Sequence, residues 1–197
     1  MSDRKASAPP HAAGPCSTLI LPGVNGSGEG HWQTAWEASL PGARRVQARD
    51  WARPTCADWT AALEQAVAEA GRDVVLVAHS LGCLQVVHWA QQTRLSVAGA
   101  LLVAPPDPDA PAFPRQAVGF APLPRTALHF PSILVASADD PYASLDFSLG
   151  CARTWGSRFV DLGCQGHVNA DSQVGEWRQG RPLLDELQAR RIRPSRK

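Results

Sequence analysis

Val74-Val75-Leu76-Val77-Ala78-His79-Ser80-Leu81-Gly82-Cys83-Leu84-Gln85-Val86-Val87-His88-Trp89-Ala90 is the stretch that decides the fold. Its first half is apolar and partly β-branched without interruption, which predicts a strand buried on both faces. Its second half puts Leu84, Val87 and Trp89/Ala90 at helical spacing. Ser80 falls on the turn between them. A strand that turns sharply into a helix lifts the turn residue above the carboxyl edge of a parallel sheet, the placement of a nucleophilic serine. Strand and helix backbones crowd at such a turn, so the residues two before and two after it must be small. Gly82 meets this demand, and Ala78 stands where glycine is usual. The plainer alternative is a serine capping an ordinary helix; the apolar strand running straight into Ser80 favours the turn.

Outward from this stretch the chain alternates strands and helices. Toward the N-terminus, Ser17 to Leu21 predicts a first strand that empties into a glycine-rich loop, Pro22 to Trp32, followed by a helix from Trp32 to Leu40. Arg45 to Ala48 predicts a weak second strand, and an amphipathic helix begins at Ala57-Asp58-Trp59, with Trp59, Leu63, Ala66, Val67 and Ala70 on one face and Gly71 as its stop. Toward the C-terminus, Ala98 to Ala104, Ser132 to Ala136 and Arg158 to Leu162 read as strands, with helices at 144–155 and 181–191. The proline-rich segment between Pro105 and Pro131 reads mainly as loop, with room for one short helix. Continuous apolar strands alternating with helices imply an α/β fold: a mostly parallel, doubly wound sheet of about six strands flanked by helices. A switch in winding direction puts functional loops at the carboxyl ends of the strands.

At 197 residues the chain is long enough for one sizeable core and short for two. We expect a disordered tail over 1–16, one domain over 17–190 and a basic tail over 191–197. With 19% charged residues and a formal charge of +1, nothing points to a nucleic acid or membrane surface. No signal peptide is read at the start. The five cysteines are scattered and never form a Cys-x-x-Cys pair, which supports neither a disulfide framework nor a zinc site and suits a reducing cytoplasm. Lysine occurs only at Lys5 and Lys197, so no phosphate-loop or Schiff-base lysine is available in the core. No metal or organic cofactor is expected.

A serine hydroxyl needs a base to take its proton and a third group to orient that base. In this architecture the expected chain order is serine, then acid, then histidine. Of the six histidines, His11 lies in the tail, His31 precedes the serine, His79 adjoins it, His88 sits along the helix that follows it, and His129 falls before a strand. His167 alone follows the last strand, in the loop Gly163 to His167. For the acid, Asp139 and Asp140 follow the fifth strand while Asp107 and Asp109 follow the fourth. The form Asp140-Pro141-Tyr142-Ala143-Ser144 favours Asp140, with Asp139 read as a turn residue and the other pair kept as rivals. An oxyanion would be met by the amide of Leu81 and by that of Val24, with Asn25 second. Trp32, Tyr142 and the Phe113 to Phe120 segment are candidates to wall a small acyl pocket. The loop glycines also admit a dinucleotide-binding oxidoreductase, with Asp50 as the ribose-binding acid, but Gly26-Ser27-Gly28-Glu29-Gly30 is not the Gly-x-Gly-x-x-Gly pattern and leaves the serine turn, Asp140 and His167 unexplained.

Leu21-Pro22-Gly23 with Gly26-Ser27-Gly28 and Gly30-His31-Trp32, Asp50-Trp51 with Pro54 and Trp59, His79-Ser80-Leu81-Gly82 with His88-Trp89, Asp139-Asp140-Pro141-Tyr142, and Gly166-His167-Val168-Asn169-Ala170 together resemble the small serine hydrolases related to retinoblastoma-binding protein nine and its bacterial YdeN-like relatives. The resemblance runs from about Thr18 to Leu187. It implies an α/β-hydrolase fold with no large cap domain and a catalytic triad of Ser80, Asp140 and His167. It does not name the substrate or any protein partner; the expected reaction, read from the residues, is hydrolysis of a small-molecule ester or activated amide. A non-catalytic interaction module on the same scaffold is the alternative of a different class, disfavoured by the intact set of three residues.

Overall fold

The computed structural model describes residues 17–190; the expected tails, 1–16 and 191–197, lie outside the described residues. Six strands form one all-parallel sheet: β1 (Thr18–Leu21), β2 (Ala43–Arg45), β3 (Val75–His79), β4 (Gly99–Val103), β5 (Ser132–Ala136) and β6 (Arg158–Asp161), in the order β2-β1-β3-β4-β5-β6. Among the described residues the α-helices are α1 (Trp32–Ser39), α2 (Cys56–Ala70), α3 (Leu81–Gln92), α4 (Leu145–Trp155) and α5 (Arg181–Arg190). The chain steps outward from β1 to β2, then returns to the other side of β1 and winds the opposite way through β3 to β6. The carboxyl ends of β1 and β3 are therefore the switch point, where an open parallel sheet leaves a crevice.

Alternation along each central strand divides the core in two. Leu19, Leu21, Leu76, Ala78, Leu102 and Leu134 face α2, α3 and α4; Ile20, Val75, Val77, Leu101, Val103 and Val135 face α1 and α5. Both faces of β1, β3, β4 and β5 are covered, which is why these strands read as unbroken apolar runs.

Two expectations need correction. β2 runs over Ala43–Arg45 rather than Arg45–Ala48. It is an edge strand whose register is set by pairing with Thr18, Leu19 and Ile20, and Val46, just past it, still donates its amide to the Ile20 carbonyl at 2.9 Å. The Pro-rich segment over 105–131 contains no helix. Eight of its 27 residues are proline, which removes the amide donors a helix needs, and its one strand-like tie is the isolated bridge between Val118 and Thr55.

Candidate active site

Ser80 sits between β3 and α3 with φ 54° and ψ −125°, a backbone conformation that costs a non-glycine residue on the order of 1–3 kcal/mol. The surroundings hold it there. Its amide donates to the Val103 carbonyl at 2.9 Å, and its own carbonyl accepts from the Cys83 amide at 2.9 Å. The two flanking glycines are demanded by space. A Cβ on Gly82 would lie 2.4 Å from the Leu21 carbonyl oxygen, and one on Gly23 would lie 2.9 Å from the Ser80 Cβ. At Ala78 the methyl group is tolerated, fully buried in the sheet.

From β6 the chain returns His167 to the serine. His167 Nε2 lies 2.9 Å from Ser80 Oγ, and its Nδ1 lies 2.9 Å from both carboxylate oxygens of Asp140. A carboxylate only accepts, so Nδ1 carries the proton and Nε2 presents its lone pair to the serine hydroxyl. Both side chains are nearly closed off, 8% exposed for His167 and 3% for Asp140. Asp140 is itself held by the Tyr142 amide, 2.9 Å from Oδ1, and the Tyr142 ring lies over the imidazole with centroids 4.4 Å apart. A hydroxyl, an imidazole and a carboxylate in this sequence can move the hydroxyl proton onto the ring as the oxygen attacks.

Asp139 faces the other way. Its Oδ1 accepts from the Ser137 hydroxyl and the Gly166 amide, each at 2.7 Å, tying the loop after β5 to the loop that carries His167. These bonds, the hydroxyl first, hold the Asp139 carboxyl below its ordinary value. The expected turn role is thus a bond between two loops. Asp107, the first of the rivals after β4, accepts the Asp109 amide at 2.9 Å, a local turn of the kind short aspartate side chains make.

Across the cavity, Val24 and Asn25 of the loop after β1 stand on the wall. The Asn25 amide is spent on the Trp51 carbonyl at 2.9 Å, whereas among the described residues no carbonyl accepts from Val24 or Leu81. Leu81 opens α3, where the helix dipole favours negative charge. Gln33, fully buried, braces this loop: its Nε2 donates to the carbonyls of Leu21 at 3.1 Å and Val77 at 3.0 Å, and its Oε1 accepts from Ser27. Arg45 adds a clamp, donating to the carbonyls of Gly26 and Ser27 and pairing with Glu37 at 2.9 Å.

These elements enclose a cavity of about 360 Å³ that Ser80, His167, Val24 and Tyr142 help to line. Trp32 is not on its wall, contrary to expectation. The indole is fully buried among Trp36 and Trp177, and its Nε1 donates to the Val168 carbonyl at 2.8 Å, so it supports the His167 loop from beneath. Phe120 is core, while Pro114 and Gln116 of the same segment reach the cavity. Sequence reasoning passed over His31 because it precedes the serine; its ring lines the cavity. The adjacency of Gly30-His31-Trp32 to the first-strand loop was the available signal. Gln33 had none, being a polar residue early in a helix.

Among the described residues no group of three or more His, Cys, Asp or Glu is placed to hold a metal, and no helix is long and apolar enough to cross a membrane.

Comparison with known proteins agrees with this architecture. The family model described as serine hydrolase matches residues 18–186. A YdeN-like hydrolase from Pectobacterium atrosepticum is 30% identical with a TM-score of 0.80, over 90% of this chain and 93% of that one. The ydeN gene product of B. subtilis is 20% identical with a TM-score of 0.75, over 88% and 99%. An esterase domain from Rhodothermus marinus shares the fold at 15% identity and a TM-score of 0.65, over 91% and 90%. A search of curated protein sequences finds no match. The six-stranded parallel sheet and its flanking helices are the α/β-hydrolase fold without a large cap domain, and the chain belongs to the YdeN-like serine hydrolases.

Proposed function

We propose that this hydrolase cleaves small carboxylic esters, with activated amides as its second substrate class, through Ser80, His167 and Asp140. The observation that carries the reading is the unbroken chain of 2.9 Å contacts from Ser80 Oγ through both nitrogens of His167 to Asp140. Ser80 Oγ bonds to the substrate carbonyl carbon as its proton passes to His167 Nε2, and the carbonyl electron pair moves onto oxygen. The amides of Leu81 and Val24 receive that oxyanion. Collapse re-forms the carbonyl and expels the alcohol or amine, which takes the proton from His167. Water then repeats the sequence on the acyl-enzyme and releases the acid. Asp140 keeps the imidazole in the tautomer that can accept from serine. No cofactor enters these steps, and we place the reaction in one domain spanning 17–190 within a reducing cytoplasm.

The test is direct. Wild-type protein should turn over a small nitrophenyl ester and be labelled by a fluorophosphonate, and Ser80→Ala should lose labelling and at least roughly 10⁴-fold of kcat. Full labelling of Ser80→Ala would remove Ser80 from its role, and an unreactive wild-type protein would favour the non-catalytic module.

A further inference from the structure

The wall of the Ser80 cavity is polar but uncharged. Among the described residues no lysine, arginine, aspartate or glutamate lines it, and neither does any leucine, isoleucine, phenylalanine or tryptophan; the amides of Asn25, Gln116 and Asn169 stand where a fatty-acyl site would be greasy. A larger cavity of about 630 Å³, with Leu123, Phe147 and Trp155 in its wall, lies between the Pro-rich segment and α4. The two share no lining residue; the Asp107 amide, on the larger one, donates to the Tyr142 carbonyl, on the smaller one, at 3.0 Å.

Two histidines of the smaller wall have their tautomers set by the backbone. His31 Nδ1 accepts the Gln33 amide at 3.1 Å, so the ring proton is on Nε2. His79 Nε2 lies 2.9 Å from the His167 carbonyl, which can only accept, so that proton is on Nε2 and Nδ1 is bare. Burial keeps both rings neutral: it is the main cause that lowers His31 to about 4 and His79 well below its ordinary value. The rings meet edge to face with centroids 4.7 Å apart. His31 Nε2 is buried without a partner among the described residues, and no bond to His79 Nδ1 is formed among them either. One ring thus carries an unspent donor and the other an acceptor not used by the backbone, on two imidazoles in contact that share the cavity wall with Ser80.

We propose, resting on the hydrolase reading above, that the site takes a short acyl group bearing a hydroxyl, which accepts from His31 Nε2–H and donates to His79 Nδ1. A hydroxyl is the smallest neutral group able to do both at once. A carboxylate could not donate and an ammonium could not accept, and either would enter a wall with no opposing charge. A long alkyl chain would bury polar amides without replacing their hydrogen bonds.

The experiment compares kcat/KM for the nitrophenyl esters of acetate, butyrate, octanoate and 3-hydroxybutyrate, with fluorophosphonate labelling in parallel. The 3-hydroxybutyrate ester should exceed butyrate, its equal in length, by about tenfold, and octanoate should fall below acetate. His31→Asn keeps a side-chain oxygen to cap α1 and removes the ring donor, so it should bring the hydroxybutyrate-to-butyrate ratio to about one. Labelled wild-type protein that prefers octanoate, or whose ratio is already one, overturns this inference and leaves the serine hydrolase intact. A high ratio that survives in His31→Asn overturns the part given to His31. Wild-type protein that takes no label ends both readings. The wild-type ester panel decides the matter even if the variant does not fold.

Discussion

On one side of Ser80, the loop after β1 hangs its carbonyls on the Arg45 guanidinium and the Gln33 amide; on the other, the loops after β5 and β6 hang an imidazole and their amides on the carboxylates of Asp140 and Asp139. The difference follows from what each side has to offer. In the proposed mechanism the loop after β1 offers an amide to the oxyanion, and its outward carbonyls need donors, best a cation with several of them. In the proposed mechanism the loop after β6 must steady an imidazole while it becomes an imidazolium, which needs an anion behind it. The same cavity is therefore braced by positive charge on one flank and negative charge on the other.

The sharpest way to break this comparison is at the anionic flank. Asp140→Asn preserves size, but the new amide donates to His167 Nδ1 and so drives the ring proton to Nε2, the nitrogen that in the proposed mechanism accepts from Ser80. We expect kcat to fall by about 10⁴-fold with the fold unchanged. Steady-state rates beside a thermal melt would show it; a loss under tenfold would mean that the carboxylate does not govern the tautomer.

Acid should separate the flanks by pH window. His31, at the end of the loop after β1, is lowered to about 4 from 6.5, so between those values the unfolded chain binds a proton that the folded one does not. Its contribution to stability is complete above pH 6.5, falls as pH drops from 6.5 to about 4, and levels off below that. The span amounts to about 3 kcal/mol. Asp139 is shifted the other way relative to its charge: its carboxyl is held below its ordinary value, so its contribution persists until pH falls below about 3.9. Denaturant unfolding across pH 4 to 7 should show the slope, and His31→Asn should flatten it. An unchanged slope in that variant would put the acid sensitivity elsewhere, with His79 the next group to replace.

The cationic flank should yield a smaller effect on rate. Arg45→Met keeps the aliphatic stem and removes the guanidinium donors to the Gly26 and Ser27 carbonyls, leaving the loop to Gln33 and to the Thr34 hydroxyl, which also donates to the Ser27 carbonyl at 2.7 Å. Removing an oxyanion donor outright costs roughly 10²–10³ in kcat, so loosening one should cost about tenfold. KM should change little, because in the proposed mechanism the Val24 amide matters most once negative charge has formed. A variant with wild-type kcat would show that Gln33 and Thr34 hold the loop without the guanidinium.

The parts of this molecule that could be read along the chain are those whose physics is local. The apolar run into Ser80 and the small residues around it announce a strand, a turn and a helix, because crowding at that turn constrains neighbours in sequence. His167 could be isolated by its place after the last strand. The structure places its ring between Ser80 and Asp140, although 87 and 27 residues separate them along the chain. What stayed hidden depends on distant partners. The register of β2 is decided by β1, and Trp32 looked like a pocket wall because nothing local reveals a hydrogen bond to a carbonyl 136 residues away. His31 was set aside by a chain-order argument that applies to a general base and says nothing about a donor on the cavity wall. Arg45 and Gln33 read as ordinary polar residues of a strand and a helix, since their burial exists only in three dimensions.

Asp139 offers the finest test of the contrast, since it differs from Asp140 by one position and an entirely different task. It is exposed, and its Oδ1 accepts from the Ser137 hydroxyl and the Gly166 amide, so it acts on His167 through the loop and not through the ring. Asp139→Asn keeps an oxygen for both donors and loses only the charge, and we expect kcat to fall by no more than about threefold, because water can compensate at an exposed site. Asp139→Ala deletes the acceptor and should cost more, about tenfold, as Gly166 is freed beside His167. The ordering Asp140→Asn far below Asp139→Ala, and Asp139→Ala below Asp139→Asn, is the outcome that separates a carboxylate touching the imidazole from one that only fastens its loop. If the two asparagine variants lost activity equally, the neighbouring carboxylates would share one function, and the geometry at His167 Nδ1 would no longer distinguish them.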